Sequence, residues 1–173
     1  MAENDKKQDH NTESRDSVTQ SRFKSLMEGA ERMHANEQYT DLIITCSGHE
    51  WKVHKFCLCA QSDFFHSACG DSFKEGNGSK INLDDDDPQT VEALIHYFCC
   101  FDYGECANIS NMILDARMYA VADKYFVALL KQLAKKKFES RAKAEWKTVE
   151  FADAVAEVFS TVPEGDGEFR RIA

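Results

Sequence analysis

Seven cysteines and six histidines are the side chains of this 173-residue chain with the most chemistry to offer. Cys57-x-Cys59 lies close in sequence to His54, His66 and Cys69, and Cys99 and Cys100 are adjacent. A structural zinc site draws on two Cys-x-x-Cys-like or His-x-x-x-His-like halves separated by a loop, and the second half is missing from this spacing. Most of these cysteines also sit in apolar helical stretches, where a free thiol behaves as a small buried hydrophobe. Core packing is therefore the preferred reading, and neither a metal nor a cofactor is expected. A thiol nucleophile needs a neighbouring imidazole and an orienting acid. His54, Cys57 and Asp41 are the residues that offer them, but Cys57 again lies in an apolar run. The acidic run Asp84-Asp85-Asp86-Asp87 lacks the alternating ligands, central Gly and closing Glu of a calcium loop. With Pro88 behind it, the run reads as a helix start, an Asp at the N-cap and Pro at the first helical position. No phosphate loop, nucleophile elbow, His-Glu-x-x-His helix or dinucleotide fingerprint is present. An enzyme is not expected.

Composition narrows the field further. Apolar residues make up 43% and charged residues 29%, which is ordinary globular composition. The net charge of -9 speaks against a nucleic-acid binder, since phosphate contacts require clustered cations. That charge is uneven: residues 131–147 carry 7 basic and 2 acidic side chains within an otherwise acidic chain. Lys135, Lys136 and Lys137 form a candidate targeting patch for nuclear import, or else a solvated helix end. Met1 to Gln20 contains no apolar signal segment, and no run approaches the roughly 18 apolar residues of a membrane helix. An intracellular chain, cytoplasmic or nuclear, with reduced thiols is expected.

The elements that must position these residues follow from patterning. Residues 1–20 hold one large aliphatic besides Met1, namely Val18, and read as a disordered tail. Phe23, Leu26, Met27, Ala30 and Met33 then recur at helical spacing, giving an amphipathic helix that ends near Asn36. Asp41–Cys46 and Glu50–His54 read as a hairpin around Ser47-Gly48-His49. Phe56 to Cys69 reads as two short helices, the second capped at Ser62-Asp63. Lys80–Leu83 is a third strand. A helix with Val91, Leu94, Ile95 and Phe98 on one face follows, then a pair of helices over Met112–Leu133 and a last one over Trp146–Phe159. A small sheet among helices makes an α+β domain.

The residues also carry a resemblance. Tyr39-Thr40-Asp41-Leu42-Ile43-Ile44, then Trp51-Lys52-Val53-His54-Lys55 through Leu58, Ala60, Ser62, Phe64 and Phe65, resembles the BTB/POZ domain signature. Ile81-Asn82-Leu83, Val91 to Tyr97, and Tyr119-Ala120-Val121-Ala122-Asp123-Lys124-Tyr125 continue it. The resemblance covers about residues 21–138, with residues 139–173 as a C-terminal helical extension and tail. The stretch Phe151 to Arg171, with Thr161-Val162-Pro163 and Arg170-Arg171, is similar to stand-alone fungal BTB proteins.

The resemblance implies a three-stranded sheet capped by helices, serving protein–protein interaction and not catalysis. It implies that Asp41 and Lys55 line a charged pocket near a dimer groove; alternatively the two fix the hairpin-to-helix junction. It implies a homodimer interface on the first helix, through Phe23, Leu26, Met27, Ala30 and Met33; alternatively that stripe packs on its own domain. Phe73-Lys74-Glu75 falls where family members that recruit a cullin ubiquitin-ligase scaffold carry a hydrophobic-x-Glu motif, so Phe73 and Glu75 are candidate cullin contacts. Protein partners, a homodimer and a cullin scaffold are thus expected, with no small-molecule substrate. The alternative function is a nuclear, transcription-associated regulator that dimerises through this domain and is targeted by the basic 131–147 helix. Few residues follow Phe138, so a separate substrate-holding domain is not expected.

Overall fold

The computed structural model describes residues 6–70, 80–106 and 108–173, with side chains from residue 18 onward. Its sheet has three strands: β1 (Leu42–Cys46), β2 (His49–Val53) and β3 (Lys80–Asn82), in the order β2-β1-β3. The hairpin register pairs Leu42 with Val53 and Cys46 with His49. Ser47 and Gly48 both take positive φ, 47° and 83°, as a two-residue type I′ turn demands. The strand begins one residue earlier than the pattern implies, at His49, because that turn uses two residues and not three. β3 pairs parallel to β1, with Ile44 beside Ile81.

Because β1 lies between β2 and β3, the chain must leave the sheet after Val53 and return on the other edge of β1. The crossover contains α2 (Lys55–Cys59) and α3 (Asp63–Ala68). Ser62 caps α3 by accepting from the Phe65 N–H at 3.2 Å, and its hydroxyl donates to the Tyr125 carbonyl at 2.6 Å. α4 (Pro88–Cys100) starts as the sequence implies, with the Asp87 carboxylate accepting from the Thr90 N–H at 2.9 Å and Pro88 in the first turn. Asp86 has other work. It accepts from the Tyr125 hydroxyl and pairs with Lys124 at 2.8 Å.

The core joins one face of the sheet, through Leu42, Ile44, Cys46 and Val53, to Leu58, Phe65, Leu94 and Phe98. Phe65 meets Phe98 edge-on at 5.4 Å and Tyr125 at 5.3 Å, favourable aromatic geometries. α5 (Asn111–Lys124) and α6 (Ala128–Glu145) then form an antiparallel pair. They break where the pattern places two helices, at Phe126 with φ 55°. A buried polar set lies between them: Asp115 accepts from the Tyr103 hydroxyl at 2.5 Å and from Arg141 Nε at 3.0 Å. Burial raises the Asp115 carboxyl above its ordinary value despite both donors.

Two parts differ from the sequence expectation. The first is α1, which spans Lys6–Ala35 and not only the stretch after Phe23. Residues 6–20, expected as a tail, continue its backbone hydrogen bonding. The composition that argues for a tail speaks to packing, and a helix satisfies its own backbone without packing. The second is the C-terminus. α6 runs without interruption through residue 138, where the expected domain ends, and α7 (Val149–Thr161) and α8 (Gly167–Arg170) join the same core. Phe169 stacks on Tyr119 at 3.8 Å and lies 5.1 Å from Phe138. Arg117 reaches Glu157 of α7 at 2.8 Å and Asp87 at 3.3 Å.

Asp166 closes this extension onto the body. It accepts from the Tyr119 hydroxyl at 2.7 Å, pairs with Lys131 at 2.8 Å and caps α8 through the Phe169 N–H at 3.3 Å. Burial raises its carboxyl, but these donors outweigh that and hold it below the ordinary value. With a folded value below the unfolded one, the stabilisation is complete above about pH 4 and is lost as pH falls through the folded value. Asp166→Asn should lower the urea unfolding free energy at pH 7 by about 1–2 kcal/mol, with the gap to wild type shrinking below about pH 4.

Candidate interaction site

The hairpin-to-helix junction is held from outside the helix it starts. His54 occupies the N-cap of α2 in extended conformation, yet its side chain caps nothing. Asp41, just before β1, supplies the cap: its Oδ1 accepts from the Lys55 backbone N–H at 2.7 Å. His54 Nε2 lies 2.7 Å from the Gln38 carbonyl. A carbonyl only accepts, so Nε2 carries the proton and Nδ1 holds the lone pair of the neutral ring. Asp41 and Lys55 therefore meet through backbone, and no ion pair between their side chains occurs among the described residues.

The same contacts bear on the thiol-nucleophile trio. Asp41 is engaged at Lys55 and His54 at Gln38, so the carboxylate does not orient the imidazole. Cys57 instead lies beside Cys99 of α4, and this neighbouring thiol holds its own thiol down to about 7 against the opposing effect of burial. Cys99 is correspondingly raised by Cys57 and by burial. His54, Cys57 and Cys99 bring their ligand atoms within 4.8 Å of one another. Cys59, the other member of the Cys-x-Cys pair, points elsewhere and donates to the Phe65 carbonyl at 3.4 Å. Burial pushes the Cys69 thiol up to about 11. Sequence spacing could not supply Cys99 as the partner, because 42 positions separate it from Cys57 and only the α2–α4 packing joins them.

The α1 stripe divides into two rows. Met27 and Ala30 are half-buried, whereas Phe23, Leu26 and Met33 are 56%, 69% and 43% exposed. Phe23 has one aromatic neighbour, Phe101, at 6.3 Å. Leu26 is the most exposed of the five, so the stripe as a whole is not consumed by the chain's own core.

The basic helix is mostly spoken for. Lys131 pairs with Asp123 and Asp166, Lys135 with Glu168, and Lys137 with Asp102. Lys137 also lies 3.8 Å over the Tyr103 ring. Of the three candidate targeting lysines, Lys136 alone has no ion pair with a described residue. Phe73 and Glu75, the candidate cullin contacts, lie outside the described residues.

The described residues thus make a small mixed sheet sealed by helices, with an apolar stripe left outside the core. The BTB/POZ domain model matches residues 30–142, and the chain belongs to that family, whose members are protein-interaction modules. Kelch-like protein 40 of Xenopus tropicalis is 26% identical over 105 residues, 60% of this chain and 17% of that protein. TD and POZ domain-containing proteins 5 and 1 of Mus musculus are each 26% identical over 98 residues, 57% of this chain, covering 28% and 26% of their own lengths. The match thus spans less than a third of each relative. Among the described residues no helix is long and apolar enough to cross a membrane.

If Asp41 acts as a cap and not as half of an ion pair, its oxygen matters more than its charge. Asp41→Ala should cost about 1 kcal/mol in urea unfolding. Asp41→Asn, which keeps an acceptor oxygen, should cost less than half of that, and Lys55→Met should leave stability within about 0.5 kcal/mol of wild type.

Proposed function

We propose that this chain pairs with a second copy through α1 and, as a dimer, bridges a protein partner to a cullin-based ubiquitin ligase inside the cell. The observation that carries the pairing is the exposed row Phe23, Leu26 and Met33 beside half-buried Met27 and Ala30. Single exposed apolar residues need no explanation, but a row repeating along one helix face marks an interaction surface. Methionines suit it, because flexible thioethers adapt to a partner. A two-fold interface would place the same row on itself.

The cullin half of the reading rests on Phe73-Lys74-Glu75, with the Phe as apolar anchor and the Glu as a polar contact at its rim. The Asp41–Lys55 junction is read as the wall of a charged groove beside α1. The α7–α8 extension is read as the counterpart of the tail in stand-alone fungal BTB proteins. The alternative, a nuclear regulator targeted by the basic helix, has less support: Lys135 and Lys137 are already paired with Glu168 and Asp102.

Sedimentation of the full chain at micromolar concentration tests the pairing. Wild type should be a dimer, and Leu26→Glu should weaken it at least about thirtyfold, with any loss of circular dichroism no larger than the share of α1. A monomeric wild type, or a Leu26→Glu chain that stays dimeric, removes this reading. Cullin capture that survives Phe73→Ala/Glu75→Ala removes the adaptor half alone. Loss of nuclear signal on replacing Lys135, Lys136 and Lys137 would favour the alternative.

A further inference from the structure

We propose that His54, Cys57 and Cys99 form a zinc site with one open coordination position. Three elements supply the donors: His54 at the β2–α2 junction, Cys57 in α2 and Cys99 near the end of α4. Their ligand atoms already lie within 4.8 Å of one another. A tetrahedral zinc centre with bonds of about 2.3 Å to sulfur and 2.0 Å to nitrogen sets its donors roughly 3.3–3.8 Å apart. Closing the remaining gap takes shifts of about 1 Å.

The imidazole is prepared in the way a metal ligand usually is. A ligating histidine typically donates its second ring N–H to a backbone carbonyl or carboxylate, which fixes both tautomer and ring plane. His54 Nε2 makes that bond to Gln38, leaving Nδ1 as the lone-pair nitrogen. The two sulfurs lie within 4.8 Å of each other, and neither is in a disulfide. On binding, each Sγ–H bond breaks, its proton passes to solvent and the sulfur lone pair forms the bond to the metal, with no change in oxidation state. One nitrogen and two sulfurs suit zinc, and equally its spectroscopic stand-in cobalt(II), better than the oxygen-seeking magnesium or calcium.

Exposure sets the coordination number. Cys99 is buried, whereas His54 and Cys57 are half-buried, so the site is open on the side of the junction. The described residues place no fourth His, Cys, Asp or Glu ligand atom in the group. Water would complete the tetrahedron, as in zinc sites that keep an exchangeable position. The ion would tie the junction to α4 and so link the two sides of the crossover.

The test uses the full chain, reduced and stripped of metal, titrated with Co²⁺ and then Zn²⁺. One equivalent of Co²⁺ should give sulfur-to-cobalt charge-transfer absorption and the visible bands of a four-coordinate centre, and one equivalent of Zn²⁺ should bleach them. Cys57→Ser and Cys99→Ala should each weaken binding by more than about a hundredfold, whereas Cys59→Ser should bind as wild type does. Because Cys99→Ala empties part of the core, a second reading uses His54→Gln at the half-buried rim. Zn²⁺ should raise the melting temperature of wild type and Cys59→Ser, and leave that of His54→Gln and Cys57→Ser unmoved. An absence of cobalt uptake overturns the proposal. So do a six-coordinate spectrum, full binding by Cys57→Ser, or conversion of the two thiols to a disulfide in the reduced chain.

Discussion

The parallel pairing of β3 with β1 is the constraint on which the rest of this fold hangs. A third strand beside β2 would have needed only a turn. Beside β1 it needs a longer connection, because β2 ends at the Leu42 end of β1 and the chain must pass around β1 to reach its other edge. The crossover must therefore start at the end of β2, pack against the sheet and deliver Lys80 beside Ile43. Its start is fixed by Asp41 on the Lys55 N–H and by His54 on the Gln38 carbonyl. Its middle is fixed by Ser62, which caps α3 while binding the Tyr125 carbonyl at the end of α5. One small residue thereby ties the crossover to a helix 63 positions later. The adjacent Phe64, Phe65, Phe98 and Tyr125 rings fill the space that this bond leaves.

Features whose cause is local were legible in the sequence. The Ser47-Gly48 turn, the Ser62 cap and the Asp87-Pro88 start each depend on a few neighbouring residues, and the structure repeats them with shifts of a residue or so. The α+β class followed from the same local periods. What sequence could not supply depends on distant partners. α8 is four residues long, too short for a periodic signal, and exists because Phe169 finds Tyr119 and Phe138. Asp115 looks like one more acidic residue on a helix until Tyr103 and Arg141 arrive from 12 and 26 positions away. Cys99 reads as a core thiol until α2 is laid against α4.

The basic helix shows the same limit in electrostatic form. Counted along the chain, residues 131–147 are a cationic block in an acidic protein. In space, much of the excess acid is brought to that block. Asp102, Asp115, Asp123, Asp166 and Glu168 come from three different parts of the chain and meet Lys131, Lys135, Lys137 and Arg141. Several of these pairs are partly shielded, so solvent screens them less than it would a surface pair. Charge pattern along the sequence thus measured what α6 must be offered by its neighbours, not what α6 presents to solvent.

A similar argument in apolar terms applies to α1. A helix isolated in water is marginal at ordinary lengths, because nucleation is costly and propagation barely favourable. Most helices resolve this by burying a stripe. α4 does so through Val91, Leu94, Ile95 and Phe98, all buried. α1 buries only the edge of its stripe, through Met27 and Ala30, and leaves Phe23, Leu26 and Met33 to solvent. Covering those three side chains would gain about 25 cal/mol for each Å² of apolar surface removed from water. The same contact would add tertiary support to a helix that has little from its own domain. Interface formation and α1 stability are therefore coupled: whatever covers the stripe also holds the helix that presents it.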